Sequence, residues 1–295
     1  MAINDTQISA SIIIPHYNDV VRLDRCLASL MANDLSEVEI VVVDNGSDQS
    51  LDEIRAKYEN VRFVAEGEKG AAAARNRGVA ETSGAYLYFI DADCVAADDW
   101  VETARRVRTD ADMIGGRVDV FDETPPPRSG AEGFETVFAF NCRSYIEQKG
   151  FSVTANLITR RDVFEAVGPF KAGVSEDNDW CWRARDKGYS LIYVDALAVS
   201  HPSRSDWDAL RRKWLRLTNE SYLLFQKNRP GVLGRASWIG RACLMPLSAV
   251  VHIPKVLRSP RLQGAREYCA TVATLFRLRL LRMFWMLRQA LGLPV

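Results

Sequence analysis

Two aspartates one residue apart, Asp91 and Asp93, close the apolar run in "AYLYFIDADC". Carboxylates at i and i+2 of a strand end fall on one side of the chain. They repel each other unless a cation or hydrogen-bond donors stand between them. All-oxygen ligation suits Mg²⁺ or Mn²⁺, and Mg²⁺ usually arrives shared with substrate phosphates. The plainer alternative is a turn whose acids cap the next helix, since a bare Asp-x-Asp is common.

A second acidic group, Glu176-Asp177-Asn178-Asp179, opens a helical stretch. The helix dipole stabilises acids in a first turn. One of them, with a suitable pKa, could also take a hydroxyl proton as general base. Trp180 and Trp182 follow at i, i+2 and face different ways on a helix. One could stack on a sugar while the other packs in the core. Asp44-Asn45-Gly46-Ser47 ends another apolar run. Its carboxylate and carboxamide could read a nucleobase edge, or simply build a turn. Arg75 in "AARNRG" could pair with Asp91 or a diphosphate, or make a surface ion pair. His201 closes "SLIYVDALAVSHP" and could complete a metal site with Asp93, or serve structurally.

These groups need a scaffold that brings strand ends together. "SASIIIP" (9–15), "EIVVVDNGS" (39–47), "VRFVAE" (61–66) and "AYLYFID" (85–91) read as buried strands. Between them, Val20, Leu23, Leu27 and Leu30 keep helical spacing, "SLDEIRAKY" reads as a helix, and residues 70–84 form an Ala-rich helix closed by Gly84. Such alternation implies a mostly parallel sheet with helices on both faces, and ligand sites at the strands' C-terminal ends. Further along, 112–121 is strand-like, 124–130 a loop and 131–150 helical. Residues 151–170 read as a short strand, a helix and a turn. Ser175 is placed to cap a helix over 176–187, and 190–195 is a strand. From Ser205 the pattern is helical throughout.

Composition fits a globular chain of 295 residues. The net charge of zero hides an asymmetry: residues 204–295 carry 17 Lys and Arg against 4 Asp and Glu, and residues 1–203 carry 21 against 34. The six cysteines show no paired or zinc-like spacing, which suggests free thiols in a reducing compartment. The N-terminus lacks a signal pattern, no uncharged run is long enough to span a bilayer, and no Gly-x-Gly-x-x-Gly follows an early strand, which disfavours a dehydrogenase.

Taken in order, "SIIIPHYND", "EIVVVDNGSDQS", "AAARNRGVAETSGAYLYFIDADC" and "GVSEDNDWCWRARDKGYSLIYVDALAVSHP" resemble the successive motifs of the family 2 glycosyltransferases, over residues 9–202. The resemblance implies the GT-A fold, an α/β Rossmann-like, mostly parallel sheet flanked by helices. It implies an inverting enzyme that uses a nucleotide-diphosphate sugar and a divalent metal, Mn or Mg. Pro15, Tyr17, Asp44, Asn45 and Arg75 would then lie at the nucleotide. Asp91, Ala92 and Asp93 would be the Asp-x-Asp that holds ribose, diphosphate and metal. Asp177 would be the base with Glu176 beside it, and His201 would join Asp93 at the metal. Two departures stand out. Asn45 replaces the second aspartate common at its position. Only "RRKW" (211–214) occupies the place of the processive members' Gln-x-x-Arg-Trp, which points to transfer of a single sugar.

The expected organisation is a catalytic domain over 1–203, with a nucleotide-sugar half to about 120 and an acceptor half over 121–203, followed by a helical appendage over 204–295. The appendage mixes Arg with Trp, Phe, Leu and Met. Arg266, Arg277 and Arg288 share one stripe, with Arg279 and Arg282 nearly opposite. Long Arg side chains can snorkel from an interfacial helix, so the reading is a cytoplasmic chain lying peripherally on the inner membrane face, near a glycan or lipid-linked acceptor. A subdomain packed on the catalytic body, or a dimer contact, is the alternative. So many large apolar residues disfavour nucleic acid. A sugar-nucleotide pyrophosphorylase would need a Gly-rich loop where "PHYNDVVR" stands, and a non-catalytic nucleotide-binding relative would not need the retained acids.

Overall fold

The computed structural model describes residues 8–295 apart from Val174. The strands in chain order are β1 (Ala10–His16), β2 (Val38–Asp44), β3 (Arg62–Ala65), β4 (Tyr86–Ile90), β5 (Val95–Ala96), β6 (Met113–Phe121), β7 (Asn156–Arg160) and β8 (Leu191–Pro202). The helices are α1 (Val20–Met31), α2 (Asp52–Lys57), α3 (Ala71–Ala80), α4 (Trp100–Val107), α5 (Gly130–Phe138), α6 (Cys142–Lys149), α7 (Arg161–Val167), α8 (Glu176–Asp186), α9 (Trp207–Asn228), α10 (Gly231–Cys243), α11 (Met245–Leu257) and α12 (Gly264–Ala290). They divide into two compact units, one of residues up to 119 with 141–201, the other of residues 120–140 with 202–295. Residues 120–140, which the sequence reading groups with the acceptor half, thus cluster with the C-terminal helices.

The first unit holds an eight-stranded mixed sheet in the order β3-β2-β1-β4-β7-β6-β8-β5. The first four strands in the chain are mutually parallel, whereas β7 runs antiparallel to β4, β6 to β7, and β5 to β8. Ile12, Ile13 and Ile14 are fully buried, as are Val41, Val42 and Val43, which explains the unbroken apolar runs. Register decides what meets what. Ile90 pairs with Asn156, so the start of antiparallel β7 lies beside the end of β4. Val95 pairs with Ser200, so the chain at Asp93 comes alongside the end of β8.

Helix α3 ends at Ala80, earlier than the expected close at Gly84. It lies hard on β1: a Cβ added at Gly78 would collide with Ile13 Cγ2. Helix α8 opens after Ser175, whose hydroxyl makes no capping bond. The helical stretch expected over 131–150 is two helices. Asn141 accepts a bond from the Ser144 N–H and starts α6 afresh. His201 lies within β8 and not beyond it, because the strand is longer than the expected 190–195.

The second unit is helical. Ser129 and Glu132 form a reciprocal capping box at the start of α5. Helix α12 supplies much of the core through Leu275, Leu278, Trp285 and Met286. Arg279 and Arg282 point inward: Arg282 stacks over Trp214 at 4.5 Å and bonds Thr218 Oγ1 at 3.3 Å. Buried Glu135 binds Lys213 at 2.6 Å and Arg204 at 3.0 Å. The "RRKW" segment therefore has its Lys and Trp committed to this unit's core.

Candidate active site

At the end of β1, His16 is buried and its Nε2 accepts the Asp19 N–H at 3.2 Å. That leaves Nδ1–H to donate to Asp44 Oδ1 at 3.2 Å. Asp44, at the end of β2, is thereby held in place with its second oxygen clear of this bond. Pro15 lies inside β1, one residue before His16, and Tyr17 stands exposed just after it. Asn45 behaves differently from the expected base reader. Its Nδ2 donates to the carbonyls of Glu66 and Glu68 at 3.2 and 2.6 Å, and its Oδ1 accepts the Gly70 N–H at 2.6 Å. The carboxamide is engaged in folding the 66–70 loop over the strand end.

Arg75 is carried by α3 to the end of β4 and is 4% exposed. Its Nη2 donates to Asp91 Oδ1 at 2.6 Å and its Nη1 to Glu176 Oε1 at 3.0 Å. Burial alone would lower its pKa, but Asp91, Asp177 and Glu176 together raise it, so the guanidinium stays charged. One cation thus joins the strand-end acid to the first turn of α8. Ala92, small and buried, separates Asp91 from Asp93.

Asp177 is the next residue of α8. Its Oδ1 accepts the Thr154 hydroxyl at 2.8 Å. Its pKa is pushed up to about 6. Burial is the main cause, opposed by Arg75 and reinforced by Glu176. A partly buried carboxyl titrating near neutrality, beside a charged guanidinium, has the properties a general base needs. Trp180 points away into the core, with its indole N–H on the Gly168 carbonyl at 3.0 Å and its ring stacked on Phe164. Trp182 bonds the Lys149 carbonyl at 3.0 Å.

The match to the model of "Glycosyl transferase family 2" covers residues 11–172, more than half of the chain. The chain belongs to this family. It is 33% identical over 215 residues to glycosyltransferase AglE of Haloferax volcanii, across 69% of this chain and 70% of that protein. Other curated relatives are matched over less of their length: the chain spans 17% and 53% of two of them. Among solved structures it resembles the Pyrobaculum calidifontis mannosyltransferase PcManGT in complex with GDP-Man and Mn²⁺, with a TM-score of 0.53 at 18% identity over 98% of this chain and 74% of that one. It also resembles S. aureus TarS in complex with UDP-GlcNAc, with a TM-score of 0.52 at 17% identity over 90% of this chain and 71% of that one. The likeness shows the GT-A fold.

In this family 2 glycosyltransferase the Asp93 and His201 side chains approach to 3.2 Å, from Oδ2 to Nε2. A carboxylate oxygen and an imidazole nitrogen are both donors that divalent first-row ions accept. Among the described residues no cluster of three or more His, Cys, Asp or Glu forms a closed metal cage. Two protein donors fit a cation that completes its shell from diphosphate oxygens and water.

His16 and Thr154 are absent from the sequence-derived site. Thr154 carried no signal beyond lying in "FSVTANLI", two residues before a strand. His16 directly precedes Tyr17 in a segment already assigned to the nucleotide, and its pairing with Asp44 follows from the parallel register His16↔Asp44.

Proposed function

We propose that the chain moves one sugar from a nucleotide-diphosphate sugar to a hydroxyl of a glycan or lipid-linked acceptor, inverting the anomeric centre. The observation that carries this reading is Asp177. It combines a pKa of about 6 with a fixing bond from Thr154 and a place beside the Arg75–Asp91 pair. Asp177 takes the acceptor hydroxyl proton as that oxygen attacks the anomeric carbon from the face opposite the leaving group. Arg75 orients Asp91 toward the ribose and contributes positive charge where the nucleotide diphosphate leaves. Asp44, fixed by His16, faces the nucleobase.

A divalent cation held by Asp93 and His201 would neutralise charge on the departing diphosphate. The Mn²⁺ and GDP-Man named for PcManGT support that assignment. TarS was solved with a different nucleotide sugar, so the fold alone does not choose the donor. In the same reading the basic C-terminal region keeps the chain peripherally on the inner membrane face, near its acceptor.

Asp177→Asn tests the proposal directly. Transfer should vanish while nucleotide-sugar binding, measured by calorimetry, stays close to wild type. Transfer near the wild-type rate would remove Asp177 as the base.

A further inference from the structure

Within the second unit, the α10–α11 pair has one bound face and one bare face. Trp238 and Ala242 of α10 pack with Phe225 and Met286, and Ala249 and Val256 of α11 pack with Leu275 and Leu278. On the other face Val232, Leu233 and Val251 are 80%, 87% and 68% exposed, and Leu244, Leu247 and Val250 are exposed beside them. Leu244, Leu247 and Val251 follow helical spacing, so they form a stripe and not scattered points. Apolar residues exposed in such a run mark an interaction surface.

Charge identifies the partner. Residues 231–258 contain Arg235, Arg241, Lys255 and Arg258 and no acid. An anionic lipid surface complements that set. A second copy of the same face would set cation against cation. Among the described residues no single helix is long and apolar enough to cross a membrane, though α10 and α11 together, bent by 43°, pass by length and composition. With one face held by protein, the pair cannot be ringed by lipid as a spanning helix is. A pair lying in the plane of the interface satisfies both faces.

We infer that α10–α11 is the element that enters an anionic bilayer surface, lying in its plane with Leu233, Leu247 and Val251 among the acyl chains and its cations at the headgroups. Helix α12 carries five arginines but offers less apolar surface: among the described residues only Leu280 and Phe284 of its large apolar side chains are exposed, against the longer run on α10–α11. The inference rests on the membrane-bound reading above and names the part of the chain that carries it.

The test is flotation of the full chain with vesicles of phosphatidylcholine and phosphatidylglycerol, and with phosphatidylcholine alone. Wild type should float with the anionic vesicles. The variant Leu233→Gln/Leu247→Gln/Val251→Thr should partition about a hundredfold more weakly, with donor hydrolysis unchanged as proof of folding. Cys243 and Cys269 are both exposed and serve as native labelling sites. An environment-sensitive dye on Cys243, at the bend, in a Cys269→Ser background should shift to the blue on adding vesicles. The same dye on Cys269 in α12, in a Cys243→Ser background, should not. If the α10–α11 variant floats like wild type and Leu280→Gln/Phe284→Gln abolishes flotation, the assignment is wrong while membrane binding stands. If wild type never floats, both fail. If the variant instead converts a dimer to a monomer in sedimentation, the face is a self-association surface and the inference is overturned.

Discussion

Removing the charge of Asp177 should make the protein both inactive and more stable, and the size of the second effect follows from the site. Its carboxyl titrates at about 6 in the folded chain against 3.8 for an ordinary aspartate, chiefly because burial disfavours the charged form. Between those two values the folded state keeps a proton that the unfolded state has released. Stability therefore falls as pH rises across that window and is fully reduced above it. The shift corresponds to roughly 3 kcal/mol, cut to about 2 kcal/mol because the side chain is only partly buried. Asn has no charge to bury and can still accept the Thr154 hydroxyl bond. Asp177→Asn should thus raise Tm by about 5 °C at about pH 8. Below about pH 3, where Asp177 is protonated in both states, the two curves should converge. Thermal unfolding of both proteins across that range, with transfer assayed on the same samples, checks both halves. A variant that melts below wild type at the higher pH, or differs by a constant offset at every pH, would refute the burial argument.

The same carboxyl should set the acidic limb of the wild-type kcat/KM profile, with activity rising through about pH 6. Thr154→Val removes a bond to the charged form, so that limb should move up by about one unit; an unmoved limb in the pH–rate profile would dissociate Thr154 from the base. Asp93→Asn and His201→Gln should each weaken the apparent Mn²⁺ affinity in donor hydrolysis by roughly tenfold or more, without a comparable loss of nucleotide binding measured without metal. Glu135→Gln leaves Lys213 and Arg204 without their carboxylate in the core of the second unit. It should cost about 3 kcal/mol of stability, read by urea unfolding.

The parallel half of the sheet was readable because β1, β2 and β4 carry buried apolar runs, and β2 and β4 run into acids, which places Asp44 and Asp91 at a common edge. The antiparallel half carries no such mark. Strand β7 has only Leu157 and Ile158 between polar residues, and only its pairing with β4 reveals that its start, not its end, reaches the site. That reversal is why Thr154 went unseen. Asn45 shows a different limit. A carboxamide at a strand end suits a base edge or a returning loop equally well, and the return of residues 66–70 decides between them. In α12 the periodicity already showed cations on both sides. It could not show that Trp214 would receive Arg282 inward, which turns an apparent membrane helix into a core helix.

Three acids, Asp91, Glu176 and Asp177, gather around one arginine, and the distribution of hydrogen bonds separates their roles. The guanidinium gives its two terminal nitrogens to Asp91 and Glu176. Charge-assisted bonds of this kind hold a carboxylate in a fixed direction, as a group that positions ribose or anchors a helix start must be held. Among the described residues, Asp177 receives no guanidinium bond. It has a neutral hydroxyl from Thr154, the field of Arg75 and the cost of burial, and burial wins. The acid without the direct cation is therefore the one left able to take a proton near neutral pH. A second guanidinium on Asp177 would hold it as firmly as its neighbours and lower its basicity. The single arginine, bonding two of three carboxylates, makes a positioning pair and a base out of chemically similar side chains.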